Sequence, residues 1–164
     1  MTQSAQKFNA AATALTITLT GLASSATAGR ESTAIDLTAL SPIPFDVQVH
    51  GQIMVGTTPT INTFIRVGIF GSWDGTAYDG AATGSNAALT PTGGPTRIEI
   101  WEDIPVPATT SDVAYTFKVP SLVRLFGALP RKFGVWVNNQ SGVNLNATAA
   151  NHFIKYTPIS TEGV

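Results

Sequence analysis

The chain contains no cysteine, so no disulfide staples it and no thiolate can ligate zinc. Charge is also scarce: 12% of the 164 residues are Asp, Glu, Lys or Arg, about half the ~25% usual for a soluble domain. Nine basic and ten acidic residues nearly cancel to a net charge of -1, and Arg131-Lys132 is the one adjacent basic pair. Such a balance offers no electrostatic footprint for a nucleic acid. No stretch approaches the ~18 uninterrupted apolar residues that span a bilayer, so a membrane is not an expected partner either. Histidine is limited to His50 and His152, each without an acidic neighbour, which suits packing or hydrogen bonding better than catalysis. Two histidines are also fewer than a cupin-type metal centre asks for. Nucleophile-elbow, zincin, P-loop and dinucleotide-binding signatures are all missing, so no enzyme, metal site or cofactor is expected.

What remains is alternation. Apolar residues are dealt out singly among Thr, Gly, Asn and Gln, with a period of two over short segments, and a periodic helix-length pattern is nowhere seen. Phe45, Val47, Val49, Gly51, Ile53 and Val55 mark the longest such run, a strand buried on one side. Further strands are expected over 12–20, 32–37, 63–72, 97–103, 113–119, 133–137 and 152–158. The stretch 10–28, after Lys7, ends in Ala26-Thr27-Ala28, like a signal-peptide cleavage site, but Thr16, Thr18 and Thr20 alternate with Leu15, Ile17 and Leu19 as strand residues do. One helical turn is expected over 121–127, capped by Ser121 and ended by Gly127. Two Asp-Gly pairs, at 74–75 and 79–80, read as turns, and 80–95 as a long loop. Eight strands without a long helix predict an all-β antiparallel sandwich, and that count favours a jelly roll over an immunoglobulin-like arrangement. Residues 12–158 form its single domain, preceded by an extended arm, 1–11, and followed by a tail, 159–164.

The residues that stand out are aromatic. Trp136 alternates opposite Phe133, Val135 and Val137, and Trp101 opposite Ile98 and Ile100, so both are expected to point away from the core. Outward aromatics on a surface poor in Lys and Glu are what protein interfaces enrich. Phe8, Trp73, Trp101 and Trp136 are therefore the interface candidates, with a homo-oligomer, dimer or trimer, as one expected use. Trp73 and Tyr78 beside the 80–95 loop make a second possible surface, suited to a glycan or receptor. Glu99, Trp101 and Asp103 fall on one face in strict alternation, an arrangement that would suit hydrolysis of a sugar bond if the carboxylates stood ~5–9 Å apart. A solvated outer face explains it as well. Asp74 and Asp79 lack the spacing of a calcium loop, and the Asn139 and Asn146 sequons read as turns.

Three stretches carry a family resemblance: ASSATAGRESTAIDL, IRVGIFGSWDGTAYDG and LFGALPRKFGVWVNNQSGVNLNATAANHFIKYTPI. Together they resemble small structural proteins of tailed bacteriophages, similar to the jelly-roll decoration (cement) proteins that bind outside a capsid shell. The likeness extends from about Ala23 to Ile159. It implies a virion protein on the outer capsid surface, the major capsid protein as partner, and no cofactor or active site. The other reading that the residues leave open is a tail-fibre or carbohydrate-binding module.

Overall fold

The structure, a computed structural model, describes residues 4–8, 12–92 and 97–163, the side chains of 4–8, 162 and 163 excepted. In chain order the strands are β1 (Ser4–Phe8), β2 (Thr13–Ala14), β3 (Gly29–Glu31), β4 (Ile35–Asp36), β5 (Asp46–Met54), β6 (Thr63–Ser72), β7 (Ala88–Leu89), β8 (Glu99–Val106), β9 (Ala114–Val119), β10 (Lys132–Asn139) and β11 (Phe153–Gly163). A single α-helical turn, α1 (Leu122–Phe126), lies between β9 and β10. All described pairings are antiparallel. One sheet has five strands, ordered β1-β11-β5-β9 with β2 also on β11. The other has six, ordered β7-β3-β10-β6-β8 with β4 also on β10.

The two sheets close over a shared core. Val47, Val49 and Ile53 of the first sheet join Ile65, Val67, Ile69, Val135 and Val137 of the second, all fully buried. Phe133 meets Tyr156 across the gap, ring edge to ring face at 5.8 Å. The all-β, two-sheet expectation is met. The strand count is not: eleven segments are present among the described residues rather than eight. The additional ones are mostly two or three residues long, too short to show a period in sequence.

The expected strands over 63–72 and 113–119 lie where β6 and β9 are found. The α1 turn also matches, with the Ser121 hydroxyl accepting from the Arg124 N–H and Gly127 closing it at φ 81°, a left-handed conformation that costs glycine little. Residues 12–20 differ. Leu15 and Leu19 are buried as alternation requires, but only Thr13–Ala14 forms a ladder. This stretch crosses from one sheet to the other: the Leu15 N–H donates to Ile154 of β11, while the Thr16 carbonyl accepts from Thr33 beside β10. A crossing chain alternates in burial without running along one partner. The arm, as far as it is described, is β1, laid against the tail; β11 runs without a break from Phe153 through 159–163.

A second, smaller core sits on the outer face of the six-stranded sheet. Phe70, Ile98 and Trp136 point outward there and are buried under Ala82 and Leu89 of the long loop. That cover explains why β6 from Val67 onward and β10 from Phe133 onward are buried on both faces. Gly134 makes it possible, because the Phe70 ring lies directly against it where any Cβ would overlap.

Candidate functional site

The loop over this outer core is held by buried polar groups. Glu31, fully buried, accepts from the Thr83 N–H and hydroxyl and from the Gly84 N–H, at 2.7–3.2 Å. Arg30 reaches the Asn86 side chain and carbonyl at 2.9 and 2.8 Å. At the loop's start, the buried Asp79 carboxylate accepts from the Gly71 N–H at 2.9 Å. Burial pushes the Asp79 carboxyl above its ordinary range; the Gly71 bond opposes this, and the charge of Glu99 adds to it. Trp136 donates its indole N–H to the Leu89 carbonyl at 3.2 Å.

This accounts for one interface candidate. Trp136 does point away from the main core, as expected, but it is 4% exposed because the loop covers it. It is a core residue of the outer face, not free contact area. Trp101 is also corrected. A β-bulge between Val67 and Gly68 leaves Trp101 as the extra residue of β8, and its ring packs against the main core, partly buried. The bulge breaks the supposed Glu99-Trp101-Asp103 face as well. Asp103 is bound in a two-pronged ion pair by Arg66, both contacts 2.7 Å, and Arg66 alternates with the core residues Ile65 and Val67. Of Phe8 the structure describes only the backbone, paired with Ile159; its side chain lies outside the described residues.

Trp73 is the candidate that is exposed, at 51%, with its ring set edge-on to Phe126 of α1 at 6.2 Å. It stands at one end of the sandwich with the start of β5, α1 and the end of β11. Ile43 and Phe45 are exposed at this end too, so three of the six exposed large apolar side chains among the described residues share it. The Phe45 N–H donates to Ile159, where β11 leaves β5; beyond that point, 160–163 pair with β1 alone among the described residues. A two-stranded ribbon thus projects from this apolar end, and the far edge of β1 has no strand beside it among the described residues. Sequence alone could flag Trp73 but not Ile43, and Phe45 is corrected: the alternation placed it on the buried face of its strand, but it lies just ahead of β5 and is exposed.

A hollow of about 210 Å³ beside Trp73 is lined by Asp74, Ala77, Tyr78 and Asp79. Asp74 is spent on the turn: it accepts from the Thr76 and Ala77 N–H groups at 2.7 and 2.8 Å, which hold its carboxyl at about 2. Of the 80–95 loop, 93–95 lie outside the described residues. The histidines serve structure. His152 accepts the Met54 N–H on Nδ1 and places Nε2 2.8 Å from the Asn146 carbonyl, while His50 packs edge-on to Phe153. Asn139 is buried and donates to the Leu22 and Val143 carbonyls; Asn146 bonds Asp112, Thr148 and Asn151. Among the described residues no three His, Asp or Glu side chains cluster as a metal site, and no helix is long and apolar enough to cross a membrane. Comparison with known proteins finds no matching family model, no similar curated protein and no similar solved structure.

Proposed function

We propose that the protein is a structural virion component of jelly-roll type, a decoration or cement protein that binds the major capsid protein where capsomers meet. The observation that carries this reading is the end surface: Ile43, Phe45 and Trp73 exposed together beside a ribbon whose outer edge has no strand on it among the described residues. Exposed aromatic and aliphatic side chains on a chain poor in charge favour burial against protein. An open edge offers a row of backbone donors and acceptors to another chain, including a second copy in a homo-oligomer. A ligand that binds only the assembled lattice stabilises it by mass action. The sequence resemblance supplies the identity of the lattice and its location on the outer shell.

The experiment is to purify particles with and without the protein. Expected are shell-like copy numbers, and heads that break at lower temperature or milder osmotic shock when the protein is missing. Phe45→Ser with Trp73→Ala should weaken particle binding while leaving the isolated domain folded. Unchanged head stability overturns the reading. The Trp73–Tyr78 hollow favours one other use, a glycan or receptor site on a tail fibre. In that case copy numbers are tail-like, and Trp73→Ala abolishes host-cell adsorption without affecting the heads.

A further inference from the structure

On the outer face of the six-stranded sheet, a groove of about 290 Å³ opens next to Trp136. Its floor is Ile98 and Ile100 beside Trp136: Gly68 pairs with Trp136 on one side and Ile100 on the other, and having no side chain it lets Ile98 lie directly over it. Each wall is fixed by a β10 side chain. Asn138 donates to the carbonyls of Ser25 and Ala28 at 2.8 and 2.6 Å, holding the 25–28 turn. Trp136 holds the opposite wall through Leu89, and the Thr92 N–H ties the same segment to Gly80. The groove is therefore shaped before anything binds, which removes much of the ordering cost of association.

Its chemistry is apolar with a cationic rim. Ile98 and Ile100 contribute the apolar surface, and Ile100 is 46% exposed although it lies within a strand. Two arginines, Arg66 and Arg97, line it, and among the described residues no carboxylate does. Arg66 is neutralised by Asp103 and lies over the Phe64 ring at 5.0 Å. Arg97 has no acidic partner among the described residues. In a molecule of net charge -1, this is a local positive excess against a greasy floor.

We propose that the groove docks an extended acidic segment of a partner protein, with an aliphatic side chain over Ile98 and Ile100 and a neighbouring carboxylate on Arg97. The site is separate from the apolar end and stands whether or not the partner belongs to a shell. Because the rim is wet, the ion pair confers selectivity and salt sensitivity more than affinity.

The test is an NMR titration of the labelled protein with the end-blocked hexapeptide GLEVEG and its neutral counterpart GLQVQG. Expected are saturable shifts at the Trp136 indole and the Ile100 and Thr27 amides, with GLQVQG binding about three- to five-fold more weakly, as loss of an exposed ion pair implies. Arg97→Gln should bring the two peptides level, and Ile100→Ser should weaken both. Arg97 and Ile100 are exposed, so both variants keep the fold. Absence of saturable shifts at these residues overturns the proposal, as does equal binding of the two peptides to the unaltered protein. Saturation of the groove by a sulfated oligosaccharide with no response to GLEVEG likewise overturns it.

Discussion

Asp74 and Asp79 each precede a glycine with positive φ, yet the fold treats their carboxylates in opposite ways. Asp74 is exposed and accepts two backbone N–H groups, which favours its charged form and holds it at about 2. Its contribution to stability is present above the ordinary value of 3.8 and is lost as pH falls through about 2. Asp79 is buried, and desolvation disfavours its charge. The sign reverses: the native state holds the Asp79 proton more tightly than the unfolded chain does. The penalty for its charge applies above its native pKa and is relieved as pH falls through that value toward 3.8. Carbon-detected NMR titration should therefore place the two carboxyls on opposite sides of 3.8. Asp79→Asn, which keeps an oxygen for the Gly71 N–H, should raise the thermal midpoint at neutral pH and flatten its fall between acid and neutral conditions. A midpoint that drops on substitution would show that the charge is needed. Both turns were legible as turns, but the burial of one was not, because nothing near Asp79 in sequence shows that Gly71, Glu99 and the loop close around it.

At the scale of elements, the long loop is the part whose role the sequence hid. Its Gly-, Ala- and Thr-rich composition reads as an exposed connection. The structure makes it the cover of a second core because bonds to three strands hold it: Glu31 of β3 and the Trp136 indole of β10 bind its backbone, and the Gly71 N–H of β6 donates to Asp79 in the turn that begins it. Glu31→Ala leaves the Thr83 and Gly84 donors without their acceptor. We expect a loss of ~3 kcal/mol in denaturant unfolding, within the range for removing a buried, hydrogen-bonded charge. The Trp136 indole proton should exchange faster with solvent in the same variant, since the loop that accepts it is released. Ser121→Ala, by contrast, removes one cap from an exposed turn and should cost ~1 kcal/mol with no effect on that proton. The helical turn and β6 were readable because their signals are local: a cap three residues ahead of its donor, and the alternation of Ile65, Val67 and Ile69 toward the main core. The Glu99-Trp101-Asp103 face was misread because a single bulge shifts every later side chain of β8 to the other side.

Across the whole molecule, two ends of the chain meet. β1 completes the outer half of β11, so the ribbon at the apolar end depends on residues far apart in sequence. Deleting residues 1–8 should leave cooperative unfolding of the body intact, because the described core begins at Leu15. Hydrogen exchange should then show protection lost at 160–163 and retained at 153–158, where β5 still pairs. If the midpoint of the entire domain collapses instead, the ribbon is part of the cooperative core.

Alternation by itself determined that this chain is built of strands, that they pack antiparallel in two layers, and which residues of β5, β6, β9 and β10 face the main core. Those are consequences of the two-residue period of an extended chain, which acts locally. The scarcity of charge implied a largely neutral surface, but not where large apolar side chains would stand exposed on it. Only the tertiary structure decided that Trp136 and Phe70 face outward and are nonetheless buried, that Trp101 turns inward, and that Ile43, Phe45 and Trp73 gather at one end. Each outcome depends on which distant segment lies above a given strand face, and a bulge or a covering loop changes that without altering the period.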